Sequence, residues 1–506
     1  MYEKRMNMQA ADNGNSISTA TKERVPAHRT APASKFMSRE YVFDAIKSLD
    51  AYNNYARTDN GTSRLFADVF KEHIRYVPQR KSWYYYDGSR WKGDVGGMVA
   101  MEQCKALVLE MLRYSIDYNS AEYSGYCNKL QARKNRLIIL NDAQSVYPID
   151  MSSFDNNRYL FNCYNGTINL KTMEFREHRP KDYITKLAPV IYQPKARYQR
   201  FEDFIDEIMS GDSCKAAFLQ KTLGYALTGD TRYECMFILY GATTRNGKGT
   251  LMESILSVLG DYGKAVKPET IAVKNNHNSS GPSEDIARLA GLRMANISEP
   301  GKGMVINAAQ VKSMTGNDTI NARFLHENSF DFKPQFKLYI NTNYLPVITD
   351  LTLFSSNRLF IIPFDRHFEP WEQDKSLRTE FTEDYAKSAI LNWLLEGYVN
   401  LRNEGMKPPP AVVNATDEYN LESDKIQLFA EDCLVKGNTD VRTSEVYSAY
   451  KQWCGVNRMY PESNRVFNQS LRALGKVKRK RPAEGGEKTT LLIGYSLNPV
   501  VETYAM

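Results

Sequence analysis

Residues 235–250 constrain this chain most, because they place a glycine-containing polar loop between an apolar run and a helix-like segment. The apolar run 235–240 has strand composition, and Lys248 follows the loop directly. Backbone N–H groups in such a loop and at the helix N-terminus face phosphate oxygens, and the helix dipole favours their negative charge. The layout predicts a phosphate-binding P-loop in which Lys248 supplies a cation at the β- and γ-phosphates.

The loop departs from the usual P-loop pattern in two ways. Five residues instead of four separate Gly241 from Gly247, so Ala242 holds the place of the usual first glycine. Gly249 stands where a magnesium-binding Ser or Thr follows the lysine, and we predict Thr250 as the substitute ligand, with a water held by the Gly249 backbone as the alternative. A chance glycine-rich turn is the alternative, which the flanking strand and helix patterns disfavour. The predicted nucleotide-binding residues are Gly241, Ala242, Thr243, Thr244, Arg245, Asn246, Gly247, Lys248, Gly249 and Thr250.

A second motif lies fifty residues further on. Residues 289–299 are typical of a buried strand that ends in an acid, Glu299. A carboxylate at a strand end can hold magnesium or orient an attacking water, as in a Walker B element. We therefore predict Glu299 as a catalytic residue and, with Thr250, as a magnesium ligand. No second acid adjoins it, and an ordinary surface glutamate is the alternative.

Three more motifs follow in order. Residues 312–318 contain the pattern Lys-x-x-Thr-Gly-x-Asp, the strand-like run 336–341 ends in Thr342-Asn343, and Arg358 precedes the strand-like run 359–364. The ordered set resembles motifs A, B, B′ and C of superfamily 3 helicases, and within them the phage/plasmid and poxvirus-type primase-helicase family, over about residues 60–500. The resemblance implies an α/β fold: an AAA+-like P-loop ATPase core with an N-terminal α+β accessory domain and a C-terminal winged helix.

The same resemblance implies an ATP- and Mg²⁺-dependent DNA helicase, a homo-hexamer that moves 3′-to-5′ during replication of a phage, plasmid or integrated mobile element. Asn343 would then sense the γ-phosphate, and Arg358 would be an arginine finger given to the neighbouring subunit; a turn residue and a plain surface arginine are the alternatives. We expect a cytoplasmic protein in a bacterial host, with a separate primase or polymerase as partner. The rival functions are a DNA-binding initiator or structural protein with a degenerate ATPase, and a non-replicative ATPase of a mobile element.

Composition sets wider bounds. A length of 506 residues predicts about three domains, and 42% apolar with 25% charged residues is ordinary for a soluble globular protein. No apolar run is long enough to span a bilayer, so no membrane partner is expected. The seven cysteines include no C-x-x-C pair, which favours reduced thiols and no zinc site. A net charge of +7 permits nucleic-acid binding without demonstrating it.

Changes in composition along the chain predict its organisation. No archaeal-type primase domain fits before residue 40, so we expect a form without that module. The predicted divisions are a disordered arm at 1–39, an accessory domain at 40–200, a helical segment at 201–230, the ATPase core at 231–365, a helical extension at 366–405, a Pro-containing linker at 406–425, and a winged helix with a basic wing at 426–506.

Several segments are candidates for DNA contact. The aromatic and basic residues at 80–91 predict a hairpin that either stacks on single strands or, as the favoured alternative, forms core. By resemblance, residues 315–333 include a hairpin that points into the ring channel. In the predicted recognition helix, Val466, Phe467, Leu471 and Leu474 face inward. The predicted DNA-binding residues are Arg323, His326 and Lys333 in the channel, and Arg465, Arg472, Lys478, Arg479, Lys480 and Arg481 in the winged helix.

Overall fold

The computed structural model describes residues 37–274, 283–325, 328–457, 459–475, 477–481 and 487–498. Most of the predicted arm (residues 1–36) and His326 therefore lie outside the described residues. Across the described part of the chain, every helix is too short or too polar to cross a lipid bilayer.

The amino-terminal region contains helices and two small antiparallel sheets of three strands each, the first between α3 and α4 and the second after α6. The side chain of Ser38 caps the first helix by accepting a hydrogen bond from Tyr41 N, which satisfies a donor that the helix leaves free. The elements are α1 (Arg39–Ser48), α2 (Ala51–Asn54), α3 (Asp59–Phe70), β1 (Ile74–Val77), β2 (Ser82–Tyr86), β3 (Trp91–Gly93), α4 (Met98–Asp117), α5 (Ala121–Leu130), α6 (Arg133–Ala143), β4 (Leu160–Cys163), β5 (Gly166–Asn169) and β6 (Glu174–Arg176).

The aromatic segment at 80–91 is the hairpin β2–β3, as predicted. The side chain of Asp87 accepts hydrogen bonds from the backbone N–H groups of Ser89 and Arg90, which fixes the turn. The Trp83, Tyr86 and Trp91 side chains are buried. These three rings therefore form core, in agreement with the favoured alternative, and cannot offer their faces to DNA bases.

Two helices precede the central sheet: α7 (Gln199–Ile208) and α8 (Ser213–Tyr225). The apolar positions of α7 are all buried, as their helical spacing predicts. The central elements that follow are β7 (Met236–Tyr240), α9 (Lys248–Leu259), β8 (Gly263–Val266), α10 (Glu284–Ala287), β9 (Met294–Ser298), α11 (Ala308–Thr315), β10 (Ile320–Ala322), β11 (Phe330–Phe332), β12 (Lys337–Thr342), α12 (Thr352–Ser355) and β13 (Leu359–Pro363).

The central sheet has five parallel strands in the order β13-β7-β12-β9-β8. Strand β7 thus lies between β13 and β12, and β12 separates β7 from β9. All five strands end at the same edge of the sheet because they are parallel. The loops that follow β7, β9 and β12 therefore meet at one edge, where Lys248, Glu299 and Asn343 lie.

Two cations are buried near the opposite, amino-terminal edge of the sheet. The guanidinium of Arg293 donates to the carbonyls of Leu160 and Leu227 and lies 4.3 Å from the ring centroid of Tyr262. Lys337 Nζ donates to backbone carbonyls that include those of Thr228 and Asp230. These bonds fasten the amino-terminal region and the end of α8 to the sheet.

Three helices follow the sheet: α13 (Leu377–Glu380), α14 (Asp384–Glu404) and α15 (Pro410–Ser423). Helices α8 and α14 touch through glycines, since a Cβ on Gly224 would lie 2.4 Å from Tyr398 N and one on Gly397 would lie 2.1 Å from Gln220 O. The predicted linker at 406–425 is wrong, because α15 occupies most of it. Pro410 starts this helix, where its missing N–H costs nothing, and Thr416 Oγ1 accepts a hydrogen bond from the edge strand at Ile361 N.

The carboxyl-terminal region has three helices and an antiparallel sheet in the order β14-β16-β15. Its core holds Phe429, Tyr450, Phe467 and Leu471. The prediction for Val466 is wrong: it is 44% exposed, because Phe467 and Leu471 already fill the inward face of its helix. The side chain of Leu474 lies outside the described residues. The elements are α16 (Lys425–Cys433), β14 (Leu434–Arg442), α17 (Thr443–Val456), α18 (Asn464–Leu474), β15 (Val477–Lys480) and β16 (Thr489–Leu497).

Candidate functional site

The predicted phosphate loop connects β7 to α9 and is held closed by one of its own side chains. The buried Asn246 Nδ2 donates to Thr243 O over 2.7 Å. Arg245 and Gly247 have positive φ angles of 57° and 80°, which turn the chain into the helix. A Cβ on Gly241 would lie 2.3 Å from Asn246 Nδ2, so only glycine fits there.

The remaining predicted loop residues differ in exposure. Gly249 is exposed and Thr250 is half-buried in the first turn of α9. A ligand can therefore reach this turn, whose N–H groups have no partners within the helix. The exposed loop residues are Ala242, Thr243, Thr244 and Arg245.

Lys248 begins α9 and points into the sheet edge with only 3% of its surface exposed. Its Nζ donates to Asn343 Oδ1 over 2.8 Å and to Gly241 O over 3.4 Å. Both acceptors are neutral, and burial lowers the pKa of Lys248 to about 8. Among the described residues, no carboxylate forms an ion pair with this buried cation. The arrangement favours an anion beside Lys248.

Glu299 follows β9 at the same edge. Its backbone N–H donates to Asn341 O over 2.9 Å, so Glu299 lies beside the end of β12, directly before Asn343. Glu299 has a φ of 50°, unusual for a residue with a side chain. Its side chain is exposed and lines an open depression that also borders Glu269 and Lys302.

Magnesium was predicted to lie between Thr250 and Glu299. The first turn of α9 and the end of β9 lie on either side of the end of β12. In the parts of the chain that the structure describes, no three His, Cys, Asp or Glu side chains form a metal cluster. Mg²⁺ often takes only one or two protein ligands and completes its shell with water and substrate phosphates. A hydroxyl and a carboxylate at this edge fit that use.

Arg358 lies at the opposite edge of the sheet, at the start of β13. Its guanidinium forms an ion pair with Glu234 over 2.5 Å and donates to Thr315 Oγ1 over 3.1 Å. Arg358 therefore lies at the far end of the strands from the Lys248 of its own chain. Its action on a neighbouring subunit stays a prediction.

A hairpin is present in the predicted segment as β10 and β11, which pair antiparallel, and its place in a ring channel stays a prediction. Arg323 is half-buried at the end of β10, and Lys333 is exposed just after β11. The guanidinium of Arg80 lies 5.5 Å from the ring centroids of both Phe324 and Phe330. The accessory region thus contacts the hairpin, a pairing across more than two hundred residues that no local pattern indicates.

The predicted basic surface of the carboxyl-terminal region is exposed. Lys478, Arg479 and Lys480 follow one another on β15, an edge strand of the small sheet. Lys480 forms an ion pair with Asp440 over 2.5 Å. The other exposed cations of the predicted set are Arg465, Arg472 and Arg481.

One group of contacts at the phosphate loop was missed by sequence reasoning. The chain after β13 returns over the loop: His367 Nδ1 donates to Thr244 O over 2.7 Å, and Phe368 N donates to Arg245 O over 2.8 Å. Further along, Arg378 Nη2 lies beside Gly249. These partners are more than 120 residues apart in sequence, so no spacing could have indicated them.

Family models match two parts of the chain. One described as "D5 N terminal like" covers residues 63–210, and one described as "Poxvirus D5 protein-like" covers residues 421–498.

Curated relatives are proteins of large DNA viruses. A protein of Acanthamoeba polyphaga mimivirus named as a candidate helicase is 29% identical over 332 residues, covering 61% of this chain and 34% of that protein. A candidate helicase of Frog virus 3 is 28% identical over 360 residues, covering 65% of this chain and 35% of that protein. A candidate primase of African swine fever virus is 22% identical over 336 residues, covering 61% and 34%. The chain thus spans about a third of the length of these relatives.

Among solved structures, the apo C-terminal region of NrS-1 is similar to this chain. The match covers 83% of this chain and 95% of the NrS-1 chain, with 8% identity and a TM-score of 0.46.

Proposed function

Because the chain belongs to the poxvirus D5-like primase-helicase family, we propose that it is an ATP-dependent DNA helicase. In this proposal it acts as a hexamer, moves 3′-to-5′ and serves replication of a viral, phage, plasmid or integrated genome. The ring and the direction of movement follow from the motif resemblance. The names of the relatives, helicases and primases, support a role in DNA replication.

The observation that carries the proposal is the environment of Lys248. Within the described ranges, this buried lysine at the N-terminus of a helix has two neutral oxygens as partners and no counter-charge. The phosphates of a bound nucleotide supply that charge. Burial of the lysine in a site of low polarity strengthens the interaction with phosphate relative to water.

Each remaining site residue then has a role. The N–H groups of the loop and of the first turn of α9 bind phosphate oxygens. Thr250 and Glu299 hold Mg²⁺ together with the nucleotide, and Glu299 also orients the attacking water. Asn343, already bonded to Lys248, contacts the γ-phosphate when it is present. Arg358 stabilises the charge of the transition state in the site of the neighbouring subunit.

Two surfaces contact DNA in this proposal. Arg323, on the turn side of the β10–β11 hairpin, and Lys333, at its base, contact single-strand phosphates in the ring channel. The three helices and three-stranded sheet of the carboxyl-terminal region act as a winged helix, with α18 presenting Arg465 and Arg472 to duplex DNA and β15 as a basic wing.

The rival function is a DNA-binding initiator whose ATPase is degenerate, and Gly249 is the residue that favours it. Unwinding of forked DNA separates the two functions. We expect the full-length protein to displace a labelled strand with ATP and Mg²⁺, with a 3′ single-stranded tail and not with a 5′ tail, and Lys248→Ala to remove displacement without removing duplex binding. Duplex binding with no ATP-dependent displacement on either substrate would favour the initiator.

A further inference from the structure

We propose that Arg378 binds the triphosphate of the nucleotide within its own subunit, over the place where the missing P-loop hydroxyl would stand. This inference rests on the proposed function, because it adds a group to the same site.

The position of Arg378 relative to Gly249 is the first observation. A Cβ built on Gly249 would lie 3.3 Å from Arg378 Nη2. Gly249 occupies the first turn of α9, where backbone N–H groups are free to bind phosphate. The guanidinium therefore borders the surface that a phosphate chain would contact.

The backbone of Arg378 is fixed against the loop by apolar packing. Its neighbour Leu377 and the nearby Phe381 are buried, and the Phe381 ring lies 5.2 Å from that of Phe204. Phe204 also packs near Gly247, since a Cβ there would lie 3.3 Å from its ring. The phosphate loop, α7 and α13 thus form one packed unit, and Arg378 cannot drift away from α9 without disrupting it.

The guanidinium is available for a stronger partner. In the described part of the chain, its ion pair is with Glu253, at 3.1 Å, where the two side chains are 63% and 53% exposed. An exposed pair of this kind contributes little stability. A guanidinium forms two charge-assisted hydrogen bonds to a phosphate, and it does so better than an ammonium group. Exchange from Glu253 to phosphate is therefore favourable.

The same contact suits a glycine at residue 249. A serine or threonine Cβ at 3.3 Å from Nη2 is tighter than ordinary van der Waals contact, so the guanidinium would have to shift by a few tenths of an ångström. Lys248 points inward to Asn343 and leaves the outer side of the first turn uncovered. Arg378 covers that side, so a guanidinium takes the place of the usual hydroxyl.

Nucleotide binding by full-length variants tests the inference, with a fluorescent ATP analogue and Mg²⁺. Arg378→Ala should raise the Kd about tenfold, the loss expected for a hydrogen bond to a charged group. The Kd of Arg378→Lys should lie between those of the wild type and Arg378→Ala, because lysine keeps the charge but lacks the planar guanidinium. Gly249→Ser should weaken binding several-fold in the wild-type background and have no such effect when combined with Arg378→Ala, since there is then no guanidinium to displace.

Two controls separate this role from a structural one. Glu253→Gln removes the ion-pair partner and should leave the Kd unchanged or lower. The thermal midpoint of nucleotide-free Arg378→Ala should match that of the wild type, because the side chain is mostly exposed. Competition by inorganic tripolyphosphate should weaken by the same factor as ATP binding, because the phosphates are the shared group.

The inference is overturned if Arg378→Ala binds ATP within twofold of the wild type while Lys248→Ala abolishes binding; the proposed function then stands. It is also overturned if Arg378→Ala weakens ATP but leaves tripolyphosphate competition unchanged, because the arginine would then contact the base or sugar. A wild-type protein that binds no nucleotide would overturn the proposed function itself.

Discussion

Lys248 donates a 2.8 Å hydrogen bond to the side-chain oxygen of Asn343, although the two residues are 95 positions apart in sequence. The bond forms because β12 lies directly beside β7 in the sheet, which brings the end of β12 to the start of α9. The phosphate-binding cation is thereby held by the residue predicted to sense the γ-phosphate.

Substitutions of Asn343 test this coupling. Asn343→Ala should lower kcat by about 10²–10³-fold, the usual loss for one donor aimed at transition-state charge, with a much smaller change in nucleotide Kd. Asn343→Asp should place a carboxylate beside Lys248 and form an ion pair that competes with phosphate. Its Kd for ATP should rise at least tenfold while the thermal midpoint of the nucleotide-free protein increases. Equal effects of the two variants on Kd would contradict the coupling.

The affinity for ATP should depend on pH through Lys248. Burial lowers its pKa to about 8 in the free protein, and a bound triphosphate favours the protonated form, so binding takes up a proton above this pH. The Kd should be constant between pH 6.5 and 7.5 and should rise above pH 8, by up to about tenfold per pH unit. Lys248→Arg, which stays charged, should bind with no such rise. A flat profile for the wild type would exclude a titrating lysine.

Arg358 should act across a subunit interface. Arg358→Ala should lower ATP turnover by about 10³-fold or more without loss of ATP affinity. Mixing it with Lys248→Ala subunits should restore part of the activity, because some interfaces then combine an intact loop with an intact arginine. Glu234→Gln, which frees Arg358 from its ion pair, should not lower turnover. Mixed rings of confirmed composition with no recovered activity at any ratio would argue against a finger given in trans.

The basic edge strand should contribute phosphate contacts. Lys478→Ala and Arg479→Ala should each weaken duplex binding and lower the slope of log K against log salt by about 0.9, the release expected for one phosphate contact. Lys480→Ala should have a smaller effect, because Asp440 already pairs with it. Lys436→Ala, an exposed lysine on the other edge strand, is the matched control. If Lys478→Ala and Lys436→Ala gave the same slope of log K against log salt, the cations of β15 would be solvated and would not contact phosphate.

Sequence patterns predicted the pieces of this fold better than their arrangement. The apolar runs before Gly241, Glu299 and Asn343 are strands β7, β9 and β12, because a buried parallel strand needs a continuous apolar run. The strand order is not visible locally, since it depends on contacts between distant segments. The position of Glu299 beside the end of β12 follows from that order.

The failures have physical causes. Three prolines at 408–410 suggested a linker, but proline is accepted in the first turn of a helix and α15 gains its stability by covering the edge strand β13. Val466 matched the helical spacing of apolar residues, but Phe467 and Leu471 occupy the core-facing side of the helix. Arg378 and Arg80 carry no local signal, because their partners come from elements far away in the chain.

Magnesium-dependent ATP hydrolysis by Lys248→Ala and Lys264→Ala tests the central claim most directly. Both changes remove one lysine near the central sheet, but Lys264 lies exposed on the edge strand β8. We predict at least a hundredfold loss of turnover for Lys248→Ala with an unchanged far-UV spectrum, and turnover within twofold of the wild type for Lys264→Ala. Turnover by Lys248→Ala within a few-fold of the wild type would contradict the assignment of this edge of the sheet as the ATP site.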